Sequence, residues 1–284
     1  MTFQTHAELL LKSQTENWPL AEKNYDALNR VRTREFHFGD TVIRIQHNPA
    51  RAVSSLAKTD AQSLAARPCF LCSKNRPEEQ QGIAFLERYD LLVNPFPIFP
   101  RHFTIVSRTH EPQLLSESKF DDLLELARLM PDYYLFYNGA RAGASAPDHF
   151  HFQAGNADFF PQPPDALSLP FLCTRNLHTA DRETARQWFE RLKHELEEKK
   201  TETEAGNGGE PLFNLFVRHA NPAWTLTLFP RRAHRPAEYH SGELLISPGA
   251  VDMGGVLIAA REEDFLKITD RDIRSIYTQT SLIL

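Results

Sequence analysis

The sequence predicts an α+β protein built on a meandering antiparallel β-sheet with helices at its sides. Short apolar segments bounded by turn residues recur along the chain and indicate strands joined by tight connections. Two long amphipathic segments, 116–130 and 182–200, lie between groups of these strands and indicate helices. Groups of consecutive strands separated by helices are typical of an antiparallel sheet with helices packed on its faces.

The N-terminal elements follow in order. Residues 1–30 predict two short helices interrupted at Pro19, and the alternation around Gly39-Asp40 predicts a β-hairpin over 34–48. Strands are expected over 90–93 and 102–107. The segment 116–130 predicts a helix because Phe120, Leu123, Leu124 and Ala127 share one face, with Ser118 as the N-cap and Pro131 at the end.

The C-terminal elements are predicted in the same way. Strands over 133–137 and 149–154 enclose a Gly/Ala-rich loop, 138–145, and a helix is expected over 182–200. Three further strands are expected near 212–218, 224–230 and 253–260, and a last helix begins at Thr269.

The chain length of 284 residues suits one large domain or two coupled halves. The polar, Gly-containing segment 201–210 predicts a flexible linker between an N-terminal half, 1–200, and a C-terminal half, 211–284, that completes the sheet and the substrate site. The segment 103–110 aligns with 226–234 if one residue is inserted. Two pseudo-repeated halves would explain this alignment, and coincidence between similar hairpins is the alternative.

Composition excludes several classes of function. The net charge of −5 argues against a nucleic-acid-binding or membrane-surface protein. No run of about 20 apolar residues predicts a membrane span, and the N-terminus lacks the basic and small-residue regions of a signal peptide. Three cysteines, two of them in Cys69-Phe-Leu-Cys72, suit a metal or redox site in a reducing compartment. We therefore expect a cytoplasmic protein.

The strongest chemical signal is the segment 138–153, NGARAGASAPDHFHFQ. A period of two places His149, His151 and Gln153 on one face of a strand and turns the intervening phenylalanines, 150 and 152, into the core. Polar side chains on one face of an apolar strand are costly unless they bind something. The alternative for each histidine alone is a hydrogen-bonded structural role.

The loop before this strand has the composition of a phosphate cradle. Glycine at 139 and 143 and small residues between them let backbone N–H groups approach an anion, while Ser145 adds a hydroxyl and Arg141 a charge. An imidazole beside such a cradle is equipped to attack phosphorus and then to leave again, which divides one transfer into two easier ones. A simple turn is the alternative for the loop.

These residues resemble the active-site motif of the transferase branch of the histidine-triad (HIT) superfamily, which contains galactose-1-phosphate uridylyltransferases, diadenosine tetraphosphate phosphorylases and GDP-hexose phosphorylases. The resemblance implies a HIT-like fold and a nucleotidyl-histidine intermediate on His151. It also implies that Gln153 holds the phosphoryl oxygens and that Ser145 contacts phosphate. Hydrolases of the superfamily usually carry a third histidine where this chain has Gln153, so the glutamine favours transfer or phosphorolysis.

The resemblance extends to a metal site. Cys69 and Cys72 have the spacing of a zinc knuckle, and the relatives complete it with a histidine after the next hairpin and the first histidine of the triad. The implied ligands of a structural Zn²⁺ are therefore Cys69, Cys72, His110 and His149, with His102 as the rival third ligand. Two reduced thiols or a redox pair are the alternatives for the cysteines.

Weaker likenesses suggest the substrate contacts. Asn94 occupies the place where relatives hold the ribose, and Arg51 resembles a basic residue near phosphate; a turn residue before proline is the alternative for Asn94. The loop contributes Asn138, Gly139, Arg141, Gly143 and Ala144 to the expected substrate-binding set. The segments 246–258 and 261–267 resemble the closing part of GDP-hexose phosphorylases. The arginines of 229–232 are candidates to contact a second phosphate-bearing substrate, and a solvated strand end is the alternative.

We therefore expect a nucleotidyltransferase or phosphorylase that acts on a nucleoside diphosphate sugar or a dinucleoside polyphosphate, with a phosphate-bearing acceptor. A phosphoanhydride hydrolase of the same superfamily and a non-catalytic nucleotide-binding zinc module are the alternatives. The chain combines features of two subfamilies, because GDP-hexose phosphorylases generally lack the CxxC motif. The base, the sugar, the acceptor and a homodimeric state therefore stay open.

Overall fold

The computed structural model describes residues 1–52, 60–199 and 209–284. The helices are α1 (Phe3–Asn17), α2 (Pro19–Leu28), α3 (Ala61–Ala65), α4 (Glu117–Leu129), α5 (Arg182–Glu198), α6 (Ala237–Ser241), α7 (Ala250–Met253), α8 (Glu262–Lys267) and α9 (Asp270–Thr280). The strands are β1 (Arg32–Phe38), β2 (Thr41–His47), β3 (Gly82–Phe85), β4 (Tyr89–Val93), β5 (His102–Ser107), β6 (Tyr133–Asn138), β7 (His151–Asn156), β8 (Arg175–Thr179), β9 (Phe213–Ala220), β10 (Ala223–Pro230) and β11 (Val256–Ala259).

A large sheet organises the described part of the chain. Eight strands lie in the order β3-β4-β5-β7-β6-β9-β10-β8, and every neighbouring pair is antiparallel. The pairing of β6 with β9 joins strands from before and after the predicted linker into one sheet. The predicted α+β class, with a large antiparallel sheet and flanking helices, is confirmed.

One face of the large sheet is covered by helices α1, α4 and α5. Phe150 and Phe152 turn to this face, as predicted, and both side chains are fully buried in its apolar core. The stacked rings of Phe120 on α4 and Phe189 on α5, with centroids 4.3 Å apart, join the two helices above the sheet. Burial on this face fixes the register of β7, because a slip of one residue would turn Phe152 out of this core and to the opposite face of the sheet.

The other face carries the C-terminal part of the chain. A second, three-stranded sheet has the order β1-β2-β11, in which β11 pairs parallel to β2. A second apolar core lies between the two sheets and includes Phe136 and Phe216 from the large sheet and Ile43 and Ile258 from the small one. The predicted hairpin over 34–48 is confirmed, and Gly39, with φ of 63°, makes its turn.

Two predictions of detail are wrong. The N-cap of α4 is Ser116, whose Oγ accepts from the backbone N of Lys119, and Ser118 lies inside the helix. His149 precedes β7 instead of lying in it, because the turn bond from its backbone N to the Ala146 carbonyl delays the start of the strand to His151. The period-two pattern therefore holds for His151 and Gln153 only.

The helix starting after Thr269 is confirmed, with Thr269 as its capping residue. The predicted linker 201–210 lies outside the described residues except for its last two positions. Within the described ranges, no helix combines the length and the apolar composition that crossing a bilayer requires.

Candidate active site and metal centre

A cavity of about 390 Å³ opens on the face of the large sheet that the C-terminal part covers. Its volume is within the range of small-molecule sites. Its floor is formed by side chains of β5, β6 and β7, including Thr104, Phe136, His151 and Gln153. Its walls come from the loop after β6, the Cys69–Cys72 turn, the turn after β4 and the segment 247–252. The predicted catalytic residues His151, Gln153 and Ser145 all line it.

His151 lies where the sheet splits. β6 and β7 pair as far as Phe136 and Gln153, and beyond that point the two strands separate to make room for the loop 139–150. The amide of the fully buried Gln113 bridges the gap: its Nε2 donates to the carbonyls of Asn138 and His151, and its Oε1 accepts from the His151 backbone N. One side chain thus replaces the missing ladder bonds and fixes the backbone of His151.

The ring of His151 is held in a defined orientation. Its Nδ1 lies 2.9 Å from the backbone carbonyl of His149, and because a carbonyl can only accept, Nδ1 carries the proton. Burial lowers the pKa of His151 to about 4, which makes the neutral ring the form present at pH 7. Nε2 is then the ring nitrogen with a lone pair available to the cavity.

Gln153 is oriented by His102, the neighbour on β5. The backbone N of Ile98 donates to His102 Nδ1 at 3.1 Å, so the neutral His102 ring carries its proton on Nε2. That Nε2 donates to Gln153 Oε1 at 3.0 Å. The amide oxygen of Gln153 is thereby occupied, and its NH₂ group is the end presented to the cavity. Burial, together with the charge of Arg51, lowers the pKa of His102 to about 3 and keeps this ring neutral.

The loop after β6 is packed tightly against the C-terminal part. Gly143 has φ of 102°, and a Cβ at this position would lie 2.6 Å from the Gly249 Cα. Glycine is therefore required for both its conformation and its contact. Gly143, Ala144 and Ser145 line the cavity next to His151, as expected of a phosphate-binding loop.

The remaining predicted loop residues take different positions. Asn138 lines the cavity, and its Oδ1 accepts from the backbone N of Ala250 at 2.7 Å and from Asn214 Nδ2 at 2.8 Å, which ties the start of the loop to α7 and β9. Gly139 and Arg141 do not line the cavity, because the turn over 139–142 directs them away. The guanidinium of Arg141 lies beside Gly209 instead.

The two weaker predicted contacts both reach the cavity. Asn94 lines the cavity and also makes two hydrogen bonds within the protein. Its Oδ1 accepts from the backbone N of Phe96, and its Nδ2 donates to Thr104 Oγ1. Arg51 donates to the Phe96 carbonyl at 2.6 Å, while its buried Nε has no partner among the described residues. Burial lowers the pKa of Arg51 to about 10, which leaves it charged at pH 7.

The four predicted metal ligands form a cluster at the edge of this site. The ligand atoms of Cys69, Cys72, His110 and His149 all lie within 4.8 Å of one another. Cys69 Sγ and Cys72 Sγ lie 3.2 Å from the Nδ1 atoms of His149 and His110, respectively. Ligands bound tetrahedrally at 2.0–2.3 Å are separated by roughly 3.5 Å. The cluster therefore has the size of a metal site, and its donor set of two thiols and two imidazoles suits zinc.

The environment of the cluster supports this interpretation. His149 Nε2 donates to the Ser107 carbonyl at 2.7 Å, which leaves Nδ1 unprotonated and directed at the sulfur atoms. His102, the rival third ligand, lies outside the cluster and bonds to Gln153 and Ile98. His149 thus connects the two features, because its ring lies in the cluster and its backbone carbonyl accepts from His151 Nδ1.

Sequence reasoning missed several residues of the site. Gln113 lies in no recognisable motif, and its role becomes visible only where β6 and β7 separate and its side chain bridges them. His234, Arg235 and Ser247 line the cavity from the C-terminal part. The arginines that were expected there, Arg231 and Arg232, take other positions: Arg231 is buried among backbone carbonyls, and Arg232 is exposed.

Comparison with known proteins shows which family this chain joins. Residues 10–156 match the sequence profile of a family described as "Domain of unknown function (DUF4922)". The chain belongs to this family. The matched segment contains the metal cluster, the loop 138–145, His151 and Gln153, and extends to the end of β7.

Galactose-1-phosphate uridylyltransferases are similar to part of this chain. The Bacillus subtilis enzyme is 28% identical over 127 residues, 39% of this chain and 25% of the enzyme. The Staphylococcus saprophyticus enzyme is 26% identical over 144 residues, 44% of this chain and 29% of the enzyme. The match therefore spans only about a quarter of the length of these relatives.

The fold is similar to that of yeast Ap4A phosphorylase Apa2. Its crystal structure matches 93% of this chain and 97% of its own with a TM-score of 0.60, at 15% identity. The structure of that enzyme in complex with Ap4A matches with a TM-score of 0.57, at 14% identity. The resemblance to the transferase branch of the HIT superfamily, and the fold that it implies, are confirmed.

Proposed function

We propose that the protein transfers a nucleoside monophosphate group from a nucleotide donor to a phosphate-bearing acceptor through a covalent bond to His151 Nε2. One observation carries the proposal: the buried imidazole of His151 lines the cavity, and its Nδ1 donates a hydrogen bond to the His149 carbonyl. The other ring nitrogen is therefore a nucleophile of fixed position, next to a glycine-containing loop that suits a phosphate.

The proposed reaction has two displacements. In the first, the Nε2 lone pair forms a bond to the α-phosphorus of the donor, the phosphorus–oxygen bond to the leaving group breaks, and the leaving group keeps the electron pair. In the second, an acceptor oxygen forms a bond to the same phosphorus, and the pair of the phosphorus–nitrogen bond returns to Nε2. The proton stays on Nδ1 throughout, hydrogen-bonded to the His149 carbonyl, so the ring needs no proton transfer.

The surrounding residues supply charge stabilisation. The Gln153 NH₂ group, oriented by His102, is placed to donate to an equatorial phosphoryl oxygen. Ser145 and the backbone N of Gly143 are the candidate further donors from the loop after β6. Gly139 and Arg141 lie away from the cavity, so we assign them no contact with substrate.

The rest of the nucleotide has room along the other wall. Asn94 is the candidate contact to the ribose, and Arg51 adds a positive charge that attracts phosphate. Phe70, Leu71 and Phe96 form an apolar surface suited to a base. The similarity to galactose-1-phosphate uridylyltransferases and to an Ap4A phosphorylase supports a nucleoside diphosphate sugar or a dinucleoside polyphosphate as the donor.

We further propose that Cys69, Cys72, His110 and His149 bind one Zn²⁺. With four protein ligands, the metal would be structural and would hold the turn before β7 in place. Its effect on the reaction would be indirect, because His149 contributes the carbonyl that orients His151.

Product analysis in ¹⁸O-water tests the reaction class. With inorganic phosphate present, transfer predicts a nucleoside diphosphate free of ¹⁸O. A hydrolase would instead release a nucleoside monophosphate carrying ¹⁸O, whether or not phosphate is added, and that result would contradict the proposal. Nucleotide binding without either product would favour the non-catalytic nucleotide-binding module.

A further inference from the structure

Glu210 is a buried carboxyl group that has no part in the transfer steps described above. The sequence predicts it as the last residue of a flexible linker, but only 4% of its side chain is exposed. Its Oε1 accepts from the backbone N of Leu115 at 2.8 Å, and its Oε2 accepts from Tyr137 Oη at 2.6 Å. The carboxyl group therefore joins the segment before α4 to strand β6.

These contacts lead to His151 through Gln113. Tyr137 Oη also lies 3.2 Å from the backbone carbonyl of Gln113, two residues before Leu115. The side chain of Gln113 in turn donates to the His151 carbonyl and accepts from the His151 backbone N, at 2.9 and 2.8 Å. Whatever holds the segment 113–115 in place therefore also holds the proposed nucleophile.

The hydroxyl of Tyr137 has two acceptors for one proton. Burial raises the pKa of Tyr137 well above its ordinary value, so the hydroxyl keeps its proton at neutral pH. When Glu210 is ionised, both of its oxygens can only accept, and the nearer carboxylate takes the Tyr137 proton. The Gln113 carbonyl then loses its donor.

Protonation of Glu210 reverses the bond to Tyr137. The backbone N of Leu115 can only donate, so Oε1 stays an acceptor and the added proton lies on Oε2, where it is donated to Tyr137 Oη. The Tyr137 proton is then available to the Gln113 carbonyl. The chain of hydrogen bonds from Glu210 to Gln113 is therefore continuous only when the carboxyl group is neutral.

The surroundings of Glu210 place this change near neutral pH. Burial, opposed by its hydrogen bonds and by nearby lysines, raises the pKa of Glu210 to about 7. Among the described residues, Lys193 on α5, with Nζ 3.9 Å from Oε1, and Lys119 on α4 face the carboxyl group. The loop after β6 brings Gly139 against the carboxyl group and the guanidinium of Arg141 against the preceding residue.

We propose that Glu210 is a positioning residue for His151 and that its protonation state regulates the first displacement. The neutral carboxyl group completes the chain through Tyr137 and Gln113, and ionisation interrupts it. This inference rests on the proposed function and adds its regulation: nucleotidylation of His151 is faster when Glu210 is neutral. Glu210→Gln imitates the neutral form, since an amide offers one acceptor to Leu115 N and one donor to Tyr137.

The test compares the loading of His151 in the wild type and in Glu210→Gln from about pH 5.5 to about pH 8.5. Nucleoside 5′-phosphorimidazolides of uridine, guanosine and adenosine load Nε2 with loss of imidazole, which departs with the electron pair of its bond to phosphorus. Intact-protein mass follows the rate. We expect equal rates at the acidic end and a wild type about 2- to 10-fold slower than Glu210→Gln at the alkaline end, because ionisation removes one hydrogen bond of the chain.

The ratio of the two rates isolates Glu210 from other titrating groups. Burial lowers the pKa of His151 to about 4, so the nucleophile is neutral over the whole range. Burial also raises the pKa of Asp252, which lines the cavity, to about 6. Titration of Asp252 and of the probe affects both proteins alike and cancels in the ratio.

Two tyrosines of β6 provide matched variants. Tyr137→Phe lacks the donor to the Gln113 carbonyl at every pH, so the wild type should exceed it by about 2- to 10-fold at the acidic end and match it at the alkaline end. Tyr133 donates to Glu8 at 3.1 Å and makes no hydrogen bond to Gln113. Tyr133→Phe should therefore follow the wild-type pH profile.

A ratio of wild-type to Glu210→Gln rates that does not change with pH would overturn the inference. Slow loading of Glu210→Gln at both ends of the range would overturn it as well, as would a constant ratio between the wild type and Tyr137→Phe. Failure of the wild type to load with any of the three probes would instead reject the proposed function.

Discussion

At the scale of single residues, the site depends on the direction of a few hydrogen bonds. The backbone N of Ile98 can only donate, and this determines the proton position on His102 and, through it, the orientation of the Gln153 amide. The His149 carbonyl can only accept, and this determines which nitrogen of His151 is free to react. The orientation of both side chains therefore derives from backbone groups.

The role of His102 can be separated from that of Gln153 by a double-mutant cycle. We expect Gln153→Ala to slow nucleotidylation of His151 by about 10²-fold, as loss of a donor to developing charge does elsewhere. His102→Leu should slow it by about 10-fold while nucleotide affinity changes little. In the Gln153→Ala background, His102→Leu should have almost no further effect on the rate.

The measurement is the single-turnover rate of adduct formation in the four proteins. Independent, multiplicative effects of the two substitutions would show that His102 does not act through Gln153. His102→Leu also leaves the backbone N of Ile98 without its acceptor, so a loss of about 1–3 kcal/mol in the free energy of unfolding should accompany it. Thermal midpoints therefore have to be recorded beside the rates.

The residue types of the site were predictable from the sequence, but their partners were not. The motif 138–153 and the CxxC spacing identify His151, Gln153, Cys69 and Cys72 as candidates, and the family resemblance adds His110 and His149 to the predicted ligands. Gln113 and His102 act through contacts made across the sheet, and such contacts leave no local pattern in the sequence. Arg141 shows the reverse case: its charge suggested a phosphate contact, and the turn over 139–142 directs it away.

At the scale of elements, the loop after β6 connects the two parts of the cavity. Its contact with the segment 247–250 depends on Gly143, where both the positive φ and the close approach to Gly249 exclude a side chain. The loop after β6 and the segment 247–250 thus keep a fixed relation.

Substitution of Gly143 tests this connection. We expect Gly143→Ala to cost about 1–3 kcal/mol in the free energy of unfolding and to weaken nucleotide binding by at least about 10-fold, because the loop must move off Gly249. Calorimetric titration and denaturant unfolding provide the two measurements.

Gly242→Ala is the matched control. Gly242 has a similar positive φ of 79°, but a Cβ there would have nothing within 4 Å. The Gly242→Ala variant should lose stability through backbone strain and keep its nucleotide affinity. Equal losses of affinity in the two variants, or none in Gly143→Ala, would mean that the contact with Gly249 does not shape the site.

Most long elements were predictable and several short ones were not. Amphipathic periodicity gave α4 and α5 nearly to their ends, and alternation gave the β1–β2 hairpin. β8 was missed because its five residues, Arg175–Thr179, hold one apolar side chain, so its pairing with β10 decides its structure. α7 and α8 have four and six residues, too few for a helical period to show.

At the scale of the whole molecule, the two ends of the chain share one cavity. The pairing of β6 with β9 joins strands from before and after the predicted linker, and the cavity is lined by residues from α2 to β11. The sequence does not predict that β6 pairs with β9, because tertiary contacts decide which distant strands pair. The division at residue 200 and the pseudo-repeat of two halves stay predictions.

Removal of the proposed metal tests how far the cluster supports the molecule. We expect about one zinc per chain in the purified protein, and a fall of at least about 5 °C in the thermal midpoint after chelation or in Cys72→Ser. Cys173→Ser, at a buried cysteine outside the cluster, should keep its zinc. A metal-free protein with an unchanged midpoint would refute the zinc proposal.

The covalent bond to His151 is the central claim, and intact-protein mass spectrometry tests it most directly. The protein would be incubated with UDP-, GDP- and ADP-sugars and with a dinucleoside tetraphosphate, and quenched at mildly alkaline pH because a phosphoramidate on histidine is acid-labile. We predict a mass gain of one nucleoside monophosphate with one of these donors and no gain in His151→Ala. An adduct of equal yield in His151→Ala, or turnover by that variant, would contradict the account.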